Sequence, residues 1–169
     1  MRYPLIFICI AKKCKKGFTC KWSNYELSNN NVSMTKYSTS VGYGIVDDKI
    51  TLDPEDDVAH VKWGGNWRMP TKAEQDELRK NCTWESITQN GVYGYKVISK
   101  INGNSIFLPA AGFHDGESVY FRNSYGYYWS SSLDEGICND AWSWDFSGVY
   151  YGWYSRYRYQ GCSVRPVCE

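Results

Sequence analysis

Hydrophobic and polar positions alternate through the second half of the chain, from Tyr93 onward, and this pattern predicts β-strands. The apolar positions in these runs are mostly β-branched or aromatic, which is typical of strands. Between the first two runs, Asn102-Gly103 supplies the positive backbone φ that a tight hairpin turn needs. The predicted strands cover residues 95–101, 105–108, 127–132, 141–146, 149–153 and 162–167.

Two helix signals precede these strands. Asp53 is followed by a proline at the first helical position, which predicts a helix that runs to about Trp63. Thr71 and Glu74 have the spacing of a capping box, in which each side chain accepts a hydrogen bond from the other's backbone N–H. A second helix is therefore predicted over 72–81. Two helices followed by many short antiparallel strands indicate an α+β domain.

Length and charge restrict the class of protein. The 169 residues favour a single domain, and 19 Lys and Arg balance 18 Asp and Glu, so the basic excess typical of nucleic-acid binding is absent. No apolar run approaches the roughly 20 residues that a membrane-spanning helix needs. Residues 1–21 contain six basic residues and no acidic one. We expect an irregular basic N-terminal arm over 1–21 and one domain over 22–169, in an oligomeric state that the sequence leaves open.

Residues able to carry out catalysis or bind metals are few. The sequence has two histidines, His60 and His114, and its seven cysteines contain no C-x-x-C pair, which argues against a zinc site. The serines at 130–132 lack a surrounding G-x-S-x-G motif, so we interpret them as hydrogen-bonding strand residues. The acidic residues at 53–57 are interpreted as helix-capping charges, with calcium binding as the alternative. We therefore predict no enzyme, no cofactor and no metal.

The last third of the chain is rich in tyrosine and tryptophan, interleaved with Ser, Gly, Asp and Arg. Antibody paratopes share this composition, because rigid rings supply contact area at a low entropic cost while small polar groups adapt. Alternation within a strand would turn half of these rings inward, so Trp142, Trp144 and some tyrosines are also candidates for the core. The predicted ligand-binding residues are Ser147, Tyr150, Tyr151, Trp153, Tyr154, Ser155, Tyr157 and Tyr159.

Five spaced motifs carry a resemblance to a known family. They are Trp63-Gly-Gly-Asn-Trp-Arg-Met-Pro-Thr71, Asn81-Cys-Thr-Trp84, Asn104-Ser-Ile-Phe-Leu-Pro-Ala-Ala-Gly112, Gly126-Tyr-Tyr-Trp-Ser-Ser-Ser132 and Ser163-Val-Arg-Pro-Val-Cys168. In this order the chain resembles the Fibrobacter succinogenes major paralogous domain (FISUMP) family, which is abundant in secreted proteins of gut Bacteroidetes. That family is similar to C-type lectin-fold domains. Some members with the same closing motif resemble variable proteins of diversity-generating retroelements.

The resemblance implies a C-type lectin-like fold, with two helices packed on short antiparallel strands, at an extracellular or cell-surface location. It also implies a disulfide between Cys82 and Cys168, which would join the second helix to the last strand. The cysteine count likewise favours an oxidising compartment, and Cys138 and Cys162 are a second candidate pair. The implied partner is a protein or glycan on another cell, phage or host surface.

Two alternatives stay open within this interpretation. The aromatic face is diversified by a retroelement, or it arose by ordinary divergence of paralogues. The chain is a binding domain, or it is a structural or adhesive subunit of a cell-surface assembly.

In the shared motifs, Trp67 and Trp129 are expected to supply apolar core area, while Arg68 and Arg165 are expected to reach carboxylates or backbone carbonyls at the core edge.

Overall fold

The computed structural model describes residues 6–8, 20–21, 23, 25–29 and 33–168. Strands account for 47% and helices for 12% of these described residues. The elements are β1 Ile6–Ile8, β2 Ser28–Asn29, β3 Ser33–Met34, α1 Val58–Trp63, β4 Trp67–Arg68, α2 Lys72–Asn81, β5 Cys82–Gln89, β6 Val92–Ser99, β7 Ser105–Pro109, β8 Phe113–Asp115, β9 Ser118–Tyr120, β10 Gly126–Leu133, β11 Asp140–Phe146, β12 Tyr151–Tyr157, β13 Cys162–Val164 and β14 Val167–Cys168.

The predicted fold class, an α+β C-type lectin-like fold with two helices packed on strands, is wrong. The protein has a β-rich fold with several small sheets, and its two helices do not form a packed layer. A helix joins a layer by burying an apolar stripe against its neighbours. Among the described residues, α2 contains no fully buried side chain, and α1 buries only Val58 and Ala59. The core therefore forms on the two faces of a sheet.

A central five-stranded sheet organises the domain, with the strand order β1-β13-β10-β11-β12. Strands β10, β11 and β12 are antiparallel neighbours, and Trp144 in β11 lies opposite Tyr128 in β10 and Trp153 in β12. Strand β13 lies parallel to β10, while β1 pairs with the outer side of β13. Strand β12 is the edge strand, with no further strand paired to its outer side among the described residues.

The two faces of this sheet are covered by separate aromatic cores. Because successive side chains of a strand point to opposite faces, Tyr127 and Trp129 enter one core while Tyr128 enters the other. The first core also contains Met34 and Tyr37 from the N-terminal half. The second core joins the central sheet to the three-stranded sheet β5-β6-β7 and contains Tyr128, Trp144, Phe146, Tyr95, Val97 and Leu108.

The second helix was predicted correctly, and the first ends at Trp63 as predicted but begins later. In α2 the Thr71 hydroxyl and the Glu74 carboxylate form the expected capping box. Helix α1 begins after Asp57, whose carboxylate accepts hydrogen bonds from the backbone N–H groups of Ala59 and His60, and not after Asp53. The residues at 54–56 form a turn. The Asp-Pro signal therefore marked the turn that precedes the helix.

Most predicted strands are present with shifted ends. The Asn102-Gly103 hairpin joins β6 to β7, with Gly103 at φ +73°, and β10 and β11 match their predicted runs within two residues. Strand β12 begins and ends later than predicted. The last predicted strand divides into β13 and β14 at Arg165 and Pro166, because proline has no N–H to donate to a ladder.

Strand β5 was missed, although a turn signal for it is present in the sequence. It pairs with β6 along its full length, from Cys82 opposite Ser99 to Gln89 opposite Val92. The connecting residues are Asn90 and Gly91, both at positive φ. This is the same Asn-Gly signal that located the β6–β7 hairpin.

Two further predictions concern the membrane and the N-terminus. No helix in the described part of the chain is long and apolar enough to cross a membrane, which confirms the prediction on helical spans. The predicted basic arm, residues 1–21, lies mostly outside the described residues, but Ile6–Ile8 within it forms β1 of the central sheet.

Candidate ligand-binding surface

Four tyrosine side chains project from the edge strand of the central sheet and the turn before it. Tyr150, Tyr151, Tyr154 and Tyr157 are each between 45% and 49% exposed. Together they form what we call the tyrosine edge. Because the side chains of β12 alternate, Tyr151 and Tyr157 leave one face of the strand and Tyr154 leaves the other. The tyrosine edge therefore presents rings on both sides of the edge strand.

Ring contacts order the tyrosine edge. The ring centroids of Tyr150 and Tyr154 are 5.6 Å apart, and Tyr157 stacks on Tyr159 at 5.7 Å. Tyr151 stacks on Trp84 of the neighbouring sheet at 6.2 Å with nearly parallel planes. A hydrogen bond with the Tyr154 hydroxyl raises the pKa of Tyr150, so this phenol is neutral at neutral pH. The exposed surface is thus aromatic and uncharged at these rings.

The two predicted serines do not join the tyrosine edge. Ser147 is buried, and its backbone carbonyl accepts a hydrogen bond from the Tyr95 hydroxyl at 3.0 Å. Ser155 is half-buried and donates its hydroxyl to Asp134 Oδ2 at 2.6 Å and to Asp140 Oδ2 at 3.3 Å. Both residues hold neighbouring segments together.

The remaining two predicted aromatic residues are half-buried and packed on the cores. Trp153 meets Trp144 edge to face at 5.2 Å, and its Nε1 donates to Asp76 Oδ1 at 3.1 Å. Tyr159 packs against the first core, and its hydroxyl donates to Asp115 Oδ2 at 3.2 Å. The structure therefore brings four of the eight predicted residues to one exposed surface and places the other four beneath or beside it.

A charged residue that the sequence reasoning missed supports the tyrosine edge from below. Arg156 lies on the same face of β12 as Tyr154, and its guanidinium binds the buried Asp145 carboxylate. The guanidinium carbon also lies 4.3 Å from the ring centroid of Tyr127. The β11–β12 register places Asp145 and Arg156 on one face, so this pairing could be predicted only once that register was known.

A pocket of about 360 Å³ is lined by residues of the second core and of α2. We call it the aromatic pocket. Its wall includes Trp67, Gln75, Trp84, Tyr128, Trp144 and Arg165. Of the two motif arginines, Arg68 makes the predicted contact, a bidentate ion pair with Glu74 at 2.7 and 2.6 Å. Arg165 does not: it lines the pocket wall, and among the described residues it has no hydrogen-bond or ion-pair partner.

Among the described residues, one group of carboxylates is close enough to hold a metal ion, formed by Asp53, Glu55 and Asp56. The ammonium of Lys36 lies 2.6 Å from Asp56 and 3.4 Å from both Asp53 and Glu55. The hydrogen bond with Asp56 raises the pKa of Lys36, so this nitrogen stays charged. A lysine cation therefore already contacts all three carboxylates of this group.

The comparisons with known proteins place the sequence in a family without a known activity. Residues 67–167 match a family described as a domain of unknown function, DUF8237. The chain belongs to this family. No curated protein and no solved structure matches the chain.

The DUF8237 segment contains both surfaces described above. It begins at Trp67 and ends at Val167, two residues that line the aromatic pocket, and it includes the whole of β12. Ser130, one of the hydroxyls considered as a nucleophile, is fully buried within the segment and donates to the Trp142 carbonyl at 2.9 Å.

The disulfide between Cys82 and Cys168 is not formed in this structure. Cys82 is a buried free thiol in the second core, whereas Cys168 is exposed on β14, where it lies opposite Trp67. The expected link relied on a helix packed beside the last strand, and α2 instead continues directly into β5 at Cys82. Cys138 and Cys162 are also buried free thiols, and burial raises the pKa of Cys162 well above its usual value.

Proposed function

We propose that this chain is a non-enzymatic binding domain that recognises a protein or glycan through the tyrosine edge. The observation that carries the proposal is the exposure of Tyr150, Tyr151, Tyr154 and Tyr157 along one sheet edge. Exposed aromatic rings grouped along one sheet edge are costly to leave in water, and exposed apolar patches mark interaction sites on soluble proteins. Tyrosine suits both partner classes, because its ring packs on apolar groups while its hydroxyl forms hydrogen bonds.

Rigid support for the rings favours recognition over a purely structural role. Strand β12 pairs with β11 along its whole length, from Asp140 opposite Tyr157 to Phe146 opposite Tyr151. Arg156 and Asp145 join the same two strands through a buried ion pair. Because the backbone beneath the rings is already ordered, binding costs less conformational entropy than it would on a mobile loop.

The location and origin of the surface are part of the proposal. We place the domain outside the cell or on its surface, on the strength of the FISUMP resemblance and the cysteine content. Retroelement diversification would produce codons for a set of residues that includes Tyr and Ser. Tyr151, Tyr154 and Tyr157 of the tyrosine edge could therefore be diversified positions. Tryptophan at 153 lies outside that codon set, and its half-buried packing against Trp144 suits a fixed scaffold residue. Sequencing the neighbouring DNA for a reverse transcriptase and a near-copy of this region tests the origin.

The binding assignment is tested by screening the protein on glycan and cell-surface-protein arrays and by measuring the affinity of each hit by calorimetry. Replacing a central ring by alanine, as in Tyr154→Ala, is expected to cost about 2 kcal/mol of binding, as interface hot spots do. The matched control is Tyr120→Ala, since Tyr120 is also 45% exposed but lies on β9. Equal affinities for the wild type and Tyr154→Ala, with Tyr120→Ala no different, would contradict the assignment.

The unpaired outer side of β12 favours one alternative function, a subunit of a cell-surface assembly. An edge strand presents unpaired N–H and C=O groups that can pair with another chain. In that case the tyrosine edge would pack against a neighbouring copy. Sedimentation velocity distinguishes the two: a concentration-dependent assembly that Tyr154→Ala abolishes supports the alternative, and a single monomeric species at high concentration contradicts it.

A further inference from the structure

The aromatic pocket has the size and lining of a small-molecule site. Its volume of about 360 Å³ lies near the lower end of the roughly 300–1,000 Å³ typical of ligand pockets. Trp67, Trp84, Tyr128 and Trp144 supply ring surfaces, and the ring centroids of Trp84 and Trp144 are 5.9 Å apart. The pocket therefore favours a ligand with a flat apolar body.

Three polar atoms of the pocket-lining residues have no hydrogen-bond partner in the described part of the protein. They are Nε1 of Trp84, Nε1 of Trp144 and Oε1 of Gln75, and all three atoms are buried. The amide nitrogen of Gln75 donates to the Trp129 carbonyl at 3.1 Å, which fixes the amide orientation and leaves the oxygen as the unused acceptor. Buried polar atoms in native proteins are nearly always paired, and these three unpaired atoms belong to side chains that line the cavity.

The pocket wall carries one uncompensated positive charge. Arg165 is half-buried and, among the described residues, makes neither a hydrogen bond nor an ion pair. The other charged residue of the wall, Glu74, is occupied by Arg68 through two hydrogen bonds. A guanidinium presents a planar set of donors that matches a carboxylate, and partial burial strengthens such a contact.

We propose that the aromatic pocket binds a small planar carboxylate, with its ring against Trp84 and Trp144 and its carboxylate on Arg165. The ligand chemistry can come from a free aromatic acid or from the C-terminus of a peptide that ends in an aromatic residue. None of the four exposed tyrosines lines this site, although Tyr151 stacks on the far side of its wall residue Trp84. The proposal does not depend on the tyrosine edge binding a partner.

Calorimetric titration of the full chain with two pairs of probes tests the ligand class. Indole-3-acetate is compared with neutral indole-3-acetamide, and the peptide Gly-Gly-Trp with a free C-terminus is compared with its C-terminal amide. We expect each acid to bind at least about tenfold more tightly than its amide, since a charge-assisted hydrogen bond accounts for that much. Tighter binding by indole-3-acetate indicates a free acid, and tighter binding by the peptide indicates a C-terminus. Undetectable binding of all four probes, or equal affinity for acids and amides, overturns the proposal.

Single-residue variants test separately whether binding needs the Arg165 charge and whether it needs the open cavity. Arg165→Gln is expected to lower the affinity for the acids at least about tenfold and to leave the amides unchanged. Arg122→Gln removes the same charge from an exposed position and is expected to change neither. Ile106→Trp fills the pocket from β7 and is expected to abolish binding of acids and amides, with the far-ultraviolet circular dichroism retained. Full acid affinity in Arg165→Gln overturns the carboxylate assignment.

Two further variants test whether the acid binds in the aromatic pocket or at the tyrosine edge. Tyr154→Ala and Tyr157→Ala are expected to leave the affinity for indole-3-acetate unchanged, because neither residue lines the pocket. Should both variants lose affinity for indole-3-acetate as strongly as Arg165→Gln does, the acid would be binding at the tyrosine edge and the pocket assignment would be overturned.

Discussion

The guanidinium of Arg156 binds the carboxylate of Asp145, with Nη2 and Nε 2.6 and 2.8 Å from Oδ2. Asp145 is 3% exposed and lies inside the central sheet, whereas Arg156 belongs to the edge strand that carries the exposed tyrosines. The pair thus connects the proposed binding surface to the core. A buried carboxylate is tolerated only when it is paired, so the stability of the edge strand depends on this contact.

Replacing Arg156 by glutamine is expected to lower the free energy of unfolding by about 3–5 kcal/mol, because Asp145 then stays buried without its cation. The Ser143 hydroxyl, 2.5 Å from Asp145 Oδ1, would be a remaining partner. Urea denaturation measures the change. Arg122→Gln is the control for loss of charge, and its effect should stay within about 0.5 kcal/mol. A loss below about 1 kcal/mol for Arg156→Gln contradicts the dependence on this pair.

Exposed and buried aromatic residues should respond differently to truncation. Trp129 is fully buried, so Trp129→Ala is expected to cost roughly 3–5 kcal/mol of unfolding free energy. Tyr154→Ala and Tyr157→Ala should cost less than about 1 kcal/mol, since about half of each side chain is already in water. Thermal and urea denaturation of the three variants make the comparison. If the tyrosine variants are as unstable as Trp129→Ala, these rings belong to the core and the binding assignment loses its basis.

The Arg68–Glu74 pair predicts a pH dependence of stability. Hydrogen bonds from Arg68 lower the pKa of Glu74 from 4.5 to about 2. Since the pKa is lower in the folded protein, this contribution to stability is complete above pH 4.5 and is lost as the pH falls towards 2. Glu74→Gln keeps a side chain suited to the capping box and should flatten this part of the stability profile. The exposed Glu85 provides the control Glu85→Gln, which should keep the wild-type slope.

Chelation is expected to change neither the melting temperature nor ligand binding. In the described part of the chain, the Lys36 ammonium lies within 3.4 Å of all three carboxylates of Asp53, Glu55 and Asp56, and Lys49 adds a second contact to Asp53 at 2.6 Å. Calcium prefers six to eight oxygen ligands, which this group does not provide. Differential scanning fluorimetry with EDTA and then with calcium measures the effect. A fall in melting temperature that calcium restores would contradict this expectation.

Local signals in the sequence located several elements correctly because their causes are local. The Thr71 and Glu74 capping box needs only residues within one helical turn. The Asn102-Gly103 turn needs only a residue that tolerates positive φ, and Asn90-Gly91 offered the same information for β5. Closely spaced aromatic residues likewise located β10 and β11, and both strands are buried on both faces.

The fold class and half of the candidate site depended on contacts between residues far apart in the chain. Helix signals do not reveal how much surface a helix buries, and α2 buries no side chain fully. Composition predicted an aromatic binding surface, but only the register of β12 on β11 separates the exposed Tyr154 from the packed Trp153. The same holds for Arg165, which lines a cavity and has no hydrogen-bond or ion-pair partner among the described residues. The sequence indicates which side chains a strand can present on each face. The packing of other strands decides which of those side chains remain exposed to water.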